Sequence, residues 1–313
     1  MDNRQTNYPS VAVLMSTYNG GSFLHDQIQS IFQQNEVNVE LIIRDDGSKD
    51  STLNIINEFC NHSTNLNLFK GVNIGCKKSF FELARYASQN LTSCEYFAFS
   101  DQDDVWFPDK LSSAIKKLEA LSEKSPNLYT CRTLLVDSEL KPLFVKKSKT
   151  AFRGTVEEAV MFQPSPGCVM VFNKVLLDLY VKINIDEMLL HDDSLYKTCL
   201  ICGGNVVYDD KEHMYYRQHS NNTIGGNQSS FRRYKRWLRM FFDSKCERSN
   251  AIKSLLLTHD NDIPLDIKKR IVCVVNYKKK YTERIKLLFS PRFVTGQLCI
   301  NVIFKISVLF GRF

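Results

Sequence analysis

The sequence lacks long uninterrupted hydrophobic runs. Its 313 residues include only 13 glycines and eight prolines, with no period, which excludes a fibrous protein. The apolar run Val11–Met15 is too short for the core of a signal peptide. The stretch Phe293–Phe310 is interrupted by Gln297, Asn301 and Lys305, so we expect no transmembrane span. We therefore expect a cytoplasmic protein whose ten cysteines are free thiols.

Two glycine-rich phosphate-binding motifs are also missing. The chain contains neither Gly-x-Gly-x-x-Gly nor a Walker lysine loop. A nucleotide bound by this chain would therefore be held through a metal ion and carboxylates rather than through a glycine-rich cradle.

Length and charge favour one large domain with an appendage. Hydrophobic residues make up 43% of the chain, enough to fill a core, which excludes disorder as a description of the whole. Residues 231–313 hold 19 Lys and Arg against six Asp and Glu, whereas residues 1–230 hold 22 against 28. An acidic body with a basic tail predicts a catalytic or binding domain over residues 1–225. Residues 226–313 then form a basic, helical region that seeks an anionic surface.

The first hundred residues alternate short apolar runs with amphipathic segments, which predicts an α/β fold with a parallel, doubly wound sheet flanked by helices. Ligands of such sheets bind beyond the carboxyl ends of the strands. We predict strands at Val11–Ser16, Val39–Arg44, Leu66–Lys70, Tyr96–Ser100, Leu128–Val136, Cys168–Phe172, Asn205–Tyr208 and His213–Arg217. Helices are expected around Phe23–Ile31, after Asp50 or Ser51, around Ser79–Ala87, over Pro108–Leu121 and near Leu189–Cys202.

Four polar loops follow the first four predicted strands, so they should meet at one edge of the sheet. The most informative is Asp101-Gln102-Asp103-Asp104, because three carboxylates in four residues repel one another unless a cation lies between them. Such a strand end suits Mg²⁺ or Mn²⁺, which bind one or two carboxylates and fill their other positions with phosphate and water. The alternative is an Asp-rich turn that caps the next helix.

Two further acidic groups are candidate site residues. Asp45-Asp46-Gly47-Ser48 is by itself a turn signature, but at a strand end its carboxylates can accept from a nucleobase or a ribose hydroxyl. His191-Asp192-Asp193 opens a helix, where aspartate is favoured as a cap. A partly desolvated aspartate at this position can also act as a general base.

At these motifs the sequence resembles the family-two glycosyltransferases, which have the GT-A fold. The resemblance covers roughly residues 10–225 and depends on several stretches together. These are Met15–Gly20, Ile43–Thr52 and Phe99–Trp106, with Gly167-Cys168, His191-Asp192 and Tyr216–Asn222 similar to the branch that contains bacterial rhamnosyltransferases. Departures from the family pattern occur at Ser79-Phe80, at Gln163 and at Asp193, and they concern the acceptor and the sugar more than the chemistry.

The resemblance implies a role for each matching residue. The nucleotide-sugar half would be residues 1–107 and the acceptor half residues 108–225. Asp103 and Asp101 match the metal-binding motif, and Asp192 matches the catalytic base. Donor contacts are expected from Ser16, Tyr18, Asn19, Asp45, Asp46, Asp101, Gln102, Arg217 and His219, and acceptor contacts from Trp106, Gly167, Cys168, His191 and Asp193.

The resemblance also implies the reaction. The donor would be a nucleoside-diphosphate sugar, with dTDP-rhamnose expected on the branch resemblance and a UDP-hexose as the alternative. A divalent cation (Mn²⁺ or Mg²⁺) would assist departure of the diphosphate, and single displacement would invert the anomeric centre. The acceptor would be a polyprenyl-diphosphate-linked glycan of bacterial surface polysaccharide such as O-antigen or capsule.

The basic C-terminal region predicts a surface for the membrane. On a helical wheel, Phe231, Tyr234, Trp237, Leu238, Phe241 and Phe242 share one face, with basic residues mostly on the other. Lys268–Arg270 and Lys278–Lys280 add charge. A helix packed on its own domain with a solvated basic face is the alternative. A peripheral location at the inner face of the cell membrane would bring the enzyme to a lipid-linked acceptor.

Three other functions are consistent with parts of the sequence. A sugar nucleotidyltransferase also uses an α/β sheet and carboxylate-bound Mg²⁺, but should carry a Gly- and Arg-rich loop where this chain has Tyr18-Asn19-Gly20. A nucleic-acid-binding protein would explain the basic tail and leave the acidic loops unexplained. A carbohydrate-binding relative without turnover is disfavoured by the presence of Asp103 and Asp192.

Overall fold

A computed structural model describes residues 8–144, 153–219 and 248–313. It contains eight strands in one sheet: β1 (Ser10–Thr17), β2 (Asn38–Asp45), β3 (Leu66–Lys70), β4 (Tyr96–Ser100), β5 (Val105–Trp106), β6 (Asn127–Val136), β7 (Val171–Asn173) and β8 (Asn205–Arg217). The helices of the first two described ranges are α1 (Leu24–Phe32), α2 (Thr52–His62), α3 (Cys76–Asn90), α4 (Lys110–Leu118), α5 (Val156–Met161), α6 (Lys174–Tyr180) and α7 (His191–Ile201). The third range contains α8 (Arg248–Thr258), α9 (Leu265–Asn276), α10 (Tyr281–Phe289) and α11 (Leu298–Leu309).

The strand order β3-β2-β1-β4-β7-β6-β8-β5 makes a mixed sheet. The four strands of the first hundred residues are parallel, as predicted, and β6 is parallel to β8. Strand β7 is antiparallel to both β4 and β6, and the short β5 is antiparallel to β8. The parallel half therefore presents the carboxyl ends of β1, β2, β3 and β4 at one edge, where the polar loops lie.

Side chains of successive strand residues enter two separate cores, one on each face of the sheet. In β1, Ala12 and Leu14 join one core, while Val11, Val13 and Met15 join the other. Strands buried on both faces read as continuous apolar runs, which is why they could be predicted from the sequence.

Two strand predictions were wrong in detail. The predicted strand Cys168–Phe172 begins instead as a 3-10 turn, Gly167–Val169, and only Val171–Asn173 pairs as β7. Proline at 166 and glycine at 167 start the chain in a turn, in which the Met170 N–H donates to the Gly167 carbonyl over 2.9 Å. The two strands predicted at Asn205–Tyr208 and His213–Arg217 are one strand, β8, whose polar middle lies opposite a register irregularity in β6.

The described C-terminal helices pack on the body of the protein. Ile252 of α8, Ile271 of α9, Leu287 of α10 and Phe304 of α11 are fully buried members of the same core as Leu14. A bidentate ion pair joins Arg270 of α9 to the buried Glu157 of α5, at 2.8 and 2.6 Å. None of the helices in the described ranges has the length and apolar character that crossing a bilayer requires. The predicted basic helix at 231–242 lies outside the described residues.

Candidate active site at the carboxyl ends of the parallel strands

Hydrogen bonds join the loops after β1, β2 and β4 into one rigid rim. The Tyr18 backbone donates to and accepts from the Gln102 side-chain amide, at 2.9 and 3.1 Å. The Asn19 N–H donates to Ser48 Oγ, and the Lys49 N–H donates to Asn19 Oδ1, both over 2.9 Å. Asn19 has a φ of 49°, a left-handed conformation that asparagine tolerates better than most residues. The Tyr18 ring, 45% exposed, therefore stands on a fixed backbone where a planar ring can stack on it.

The two aspartates after β2 have different partners. Asp45 accepts from the backbone N–H groups of Gly47 and Ser48 and shapes its own turn. Asp46 accepts from the N–H groups of Ile74 and Gly75, both over 2.9 Å, and pairs with Arg44. Asp46 thus joins the loops after β2 and β3.

The same region contains Ser16 and a serine that the sequence interpretation treated only as a family departure. Ser16 Oγ donates to Ser79 Oγ of α3 over 2.6 Å, and Arg44 Nη1 donates to the same oxygen over 3.3 Å. Ser79 therefore links β1, β2 and α3 at the donor side of the site.

The acidic loop after β4 turns its carboxylates in different directions. Asp103 Oδ2 lies 2.8 Å from His219 Nε2. Asp104 is fully buried; its Oδ1 accepts from the Arg217 N–H over 3.2 Å, and its Oδ2 has no hydrogen-bond partner among the described residues. Burial, then repulsion from Asp103 and Asp192, raises the pKa of Asp101. The loop therefore concentrates negative charge that its described neighbours do not fully neutralise.

Among the described residues, Asp101 is grouped with Asp104 and Cys168, whereas the predicted metal ligand Asp103 lies against His219. Ligand atoms of Asp101, Asp104 and Cys168 lie within 4.8 Å of one another. Burial raises the pKa of Cys168 well above its usual range, so its sulfur stays a protonated thiol and is a poor ligand. Carboxylate oxygens of the loop, with the imidazole of His219 at Asp103, are ligand types that Mn²⁺ and Mg²⁺ sites use.

A buried lysine that sequence reasoning missed lies behind this loop. Lys110 Nζ donates to the Cys168 carbonyl over 2.6 Å and lies 3.2 Å from the centroid of the Trp106 ring. Burial lowers the pKa of Lys110 to about 8. Trp106, predicted to meet the acceptor, is only 3% exposed beneath this ammonium, and that role stays a prediction. Lysines are rarely fully buried, so no sequence signal marked Lys110.

Asp192 is fixed at the first turn of α7. Its Oδ2 accepts from the Gly167 N–H over 3.1 Å and its Oδ1 from the Asp193 N–H over 2.8 Å. Burial, reinforced by the charge of Asp193, raises the pKa of Asp192 to about 6. Asp193 itself points away and pairs with the buried Lys197 at 2.7 Å. The Asp192 carboxylate is thus held in one orientation, and its pKa is raised toward neutral pH.

His191, at the first turn of the same helix, has a neutral ring. It stacks on Phe80 with centroids 4.1 Å apart, and burial lowers its pKa to about 3. Neither ring nitrogen has a hydrogen-bond partner in the described ranges. A β-carbon at Gly167 would lie 2.8 Å from His191 Nε2, so only glycine fits against this ring.

Electrostatic coupling joins the separate acidic groups into one site. After burial, the charges of Asp101, Asp192 and Asp46 together raise the pKa of the Cys76 thiol, at the first turn of α3, to about 12. The three carboxylates come from loops separated by up to 146 positions along the chain. Since Coulomb interactions weaken with distance, the three carboxylates lie on the same side of the molecule as Cys76, a residue exposed to solvent.

The last predicted donor residues lie on the far side of this space. Arg217 Nε donates to the Asp103 carbonyl over 2.9 Å, and Arg217 Nη2 lies 3.1 Å from Asp26 Oδ2. The rings of His219 and Phe23 lie 4.8 Å apart. The end of β8 is thereby fixed against the acidic loop, with its continuation outside the described residues.

The sequence is similar to several known proteins. The family model described as "Glycosyl transferase family 2" matches residues 12–130. The chain is 34% identical over 233 residues to dTDP-rhamnosyl transferase RfbG of Shigella flexneri, covering 71% of this chain and 77% of that one. It is 26% identical to the uncharacterized glycosyltransferase RT0329 of Rickettsia typhi, over 97% and 92% of the two chains.

Solved structures share the fold. TarS of S. aureus in complex with UDP-GlcNAc superposes with a TM-score of 0.55 at 14% identity, covering 97% of this chain and 93% of that one. Mannosyltransferase PcManGT of Pyrobaculum calidifontis, in complex with GDP-Man and Mn²⁺, gives 0.54 at 14% identity over 98% and 88%. These are glycosyltransferases with the GT-A fold, which confirms the predicted architecture.

Proposed function

The chain belongs to glycosyl transferase family 2 and is a glycosyltransferase, and we propose that it moves rhamnose from dTDP-rhamnose to a glycan acceptor in bacterial polysaccharide synthesis. The similarity to RfbG supports the sugar and the nucleotide. The similarity over 118 residues to TuaG of Bacillus subtilis, described as a putative teichuronic acid biosynthesis glycosyltransferase, supports a polysaccharide product. A UDP-hexose is the alternative donor, since TarS was solved with UDP-GlcNAc.

We assign donor recognition to the rim formed by residues 1–107. The exposed Tyr18 ring would stack on the base, and Asp46, placed between the loops after β2 and β3, would accept from it or from the ribose. Asn19, Asp45 and Gln102 act through the backbone that they fix. Ser16, Arg217 and His219 would border the sugar diphosphate.

We propose that Asp101 and Asp103 hold a divalent cation. The mutual repulsion within the acidic loop and the imidazole of His219 at Asp103 support this assignment. A cation bound there neutralises the negative charge that develops on the departing diphosphate. The rigid rim around Gln102 would position the diphosphate next to the cation held by the acidic loop.

We propose Asp192 as the general base of an inverting displacement. The acceptor hydroxyl oxygen attacks the anomeric carbon from the face opposite the diphosphate. The new C–O bond forms as the bond to the diphosphate oxygen breaks, and the hydroxyl proton passes to the Asp192 carboxylate. Two backbone N–H groups orient this carboxylate, and burial raises its basicity, which suits proton abstraction. Residues 108–225 would supply the acceptor side, with Gly167, Cys168 and His191 around the base, while Asp193 acts through its ion pair with Lys197.

We further propose that the acceptor is lipid-linked and that the enzyme works at the inner face of the cell membrane. The excess of Lys and Arg after residue 230 supports this location, because the cytoplasmic leaflet carries anionic lipids.

One observation supports the proposal most: an acidic loop suited to a cation and a separate, oriented carboxylate belong to one site. The variant Asp192→Asn tests it. The asparagine has the same shape but cannot take a proton, so transfer should fall about 10²–10⁴-fold while donor affinity changes little. Calorimetric titration with dTDP-rhamnose and Mn²⁺ measures binding, and product formation measures transfer. The matched control is Asp186→Asn, an exposed aspartate in an ion pair with Lys78, which should leave both unchanged. An Asp192→Asn enzyme with full activity refutes the base assignment.

The metal assignment has its own test. Asp103→Asn should abolish the dependence of donor affinity on Mn²⁺ while the chain stays folded. Unchanged, cation-dependent binding by this variant would contradict the role of Asp103. A screen of UDP-hexoses beside dTDP-rhamnose in the same assay decides between the two donors.

A further inference from the structure

Each of the last two helices has a stripe of apolar side chains that is exposed to solvent. The exposed positions recur every three or four residues, so they lie along one side of each helix. On α10 they are Tyr281, Ile285 and Phe289, and on α11 they are Leu298, Val302, Ile306, Leu309 and Phe310, with exposed fractions from 36% to 79%. We call these eight residues the α10–α11 face. Exposed apolar stripes of this kind on neighbouring helices mark interaction sites in soluble proteins.

The opposite sides of the two helices are firmly packed, so the face is not the result of loose chain ends. Leu287 of α10 and Ile303 of α11 are fully buried. The Phe304 ring lies between those of Phe293 and Phe313, with centroids 5.9 and 4.8 Å away. The chain end is fixed as well, because the Phe313 N–H donates to Tyr277 Oη over 2.9 Å.

The surroundings of the face are strongly basic. Residues 277–313 contain eight Lys and Arg and a single acidic residue, Glu283, which pairs with Lys286 at 2.8 Å. Seven of the eight basic residues are exposed: Lys278, Lys279, Lys280, Lys286, Arg292, Lys305 and Arg312. An apolar stripe with a basic border matches an anionic bilayer surface, where apolar side chains enter the interface and ammonium groups meet lipid phosphates.

We propose that the α10–α11 face docks this enzyme on an anionic membrane surface. The charge favours a membrane over a second copy of the chain, since two copies meeting at this face would bring like charges together. The 12 residues of α11 extend about 18 Å, well short of the roughly 30 Å hydrocarbon core, so the helix lies in the interface and does not span. The inference rests on the proposed function only for its purpose, which is to bring the site to a lipid-linked acceptor.

Vesicle co-sedimentation of the full chain tests the proposal. Wild-type protein should sediment with vesicles of phosphatidylcholine and phosphatidylglycerol, and much less with phosphatidylcholine alone. The variant Phe289→Glu/Leu298→Glu/Phe310→Glu should lose about tenfold or more in partitioning, because three apolar side chains no longer enter the interface. Its residues are exposed, so its circular dichroism and melting temperature should match the wild type.

Two further variants separate charge from apolar contact. Lys278→Gln/Lys279→Gln/Lys280→Gln should weaken binding to anionic vesicles by about tenfold or more at low salt, with a smaller difference at high salt, where charges are screened. Leu257→Glu, an equally exposed leucine of α8, is the matched control and should bind like the wild type. Wild-type sedimentation by the triple glutamate variant, or loss of sedimentation only in Leu257→Glu, overturns the proposal.

Transfer to a short water-soluble acceptor keeps the two proposals distinguishable. If the glutamate variant loses vesicle binding and keeps this transfer, the docking surface is supported independently of catalysis. If the wild type binds vesicles but transfers no sugar, the proposed function fails and the docking surface stands. If the wild type is a dimer by light scattering and the glutamate variant is a monomer, the face joins two copies and the membrane proposal is wrong.

Discussion

The Asp192 carboxyl combines two opposed influences that together set its acidity. Burial, with the neighbouring charge of Asp193, raises its pKa, while the N–H groups of Asp193 and Gly167 stabilise its charged form. The balance leaves the pKa at about 6, above the ordinary value of 3.8. A general base must be deprotonated before it can accept a proton.

We therefore expect the turnover number to fall as the pH drops through about 6, by about tenfold for each further pH unit. If the pKa of this aspartate had its ordinary value, kcat would begin to fall only at a pH about two units lower. A pH profile of kcat at saturating donor measures this limb. Donor binding, followed by calorimetry over the same range, is the control, and a limb near pH 4 would contradict the assignment.

Lys197 and Asp193 form a buried ion pair whose loss should be costly. The two side chains are 0% and 8% exposed. Removing one partner of such a pair leaves an uncompensated buried charge, so Lys197→Met should lower the free energy of unfolding by about 3–5 kcal/mol. Urea denaturation measures it. Lys182→Met is the matched control, because Lys182 and Asp262 are 52% and 37% exposed and 3.5 Å apart; it should cost less than about 1 kcal/mol. Equal costs for both variants would contradict the prediction.

At the scale of elements, the 3-10 turn Gly167–Val169 holds the segment before β7 against the first turn of α7. The Gly167 N–H contacts Asp192 Oδ2, and a β-carbon at this glycine would lie 3.2 Å from Asp192 Cβ. Gly167→Ala should displace the start of α7 and lower kcat by up to about 10²-fold, the cost of misplacing a reacting group by about 1 Å. Donor affinity, measured with Mn²⁺ on the same variant, shows whether the acidic loop beside Cys168 has moved as well. Wild-type kcat in Gly167→Ala would show that the base tolerates displacement.

The same turn illustrates where the sequence stops predicting structure. The apolar run at 168–172 is compatible with a short strand and with a buried turn. Over so few residues, periodicity cannot distinguish the two structures. The four parallel strands were confirmed because each is a short, largely apolar run followed by a polar loop. Contacts such as His219 with Asp103, 116 positions apart, depend on the closed fold. They can be inferred only when both residues match a family pattern, and the buried Lys110 matched none.

At the scale of the whole molecule, the described C-terminal helices complete a core that the first 219 residues leave open. Ile252, Ile271 and Phe304 are fully buried in the same core cluster as Leu14 of β1. A chain cut at residue 230 would expose this surface, so it would aggregate or unfold before its membrane binding could be measured. Point substitutions on exposed positions, as in the α10–α11 face, therefore test the region where truncation cannot.

Helix α11 has one side in the core and one side in solvent, and a pair of neighbouring substitutions should separate their contributions. Ile303 is fully buried and Val302 is 45% exposed. Ile303→Ala leaves a cavity under α11 and should lower the free energy of unfolding by about 2–5 kcal/mol. Val302→Ala removes surface contacts only and should stay within about 0.5 kcal/mol. Chemical denaturation of both variants measures the difference.

If the C-terminal helices were an independent appendage, Ile303→Ala would unfold them in a separate early transition and leave donor binding intact. Because they share one core with Leu14 of β1, we expect a single transition in which donor binding and helicity are lost together.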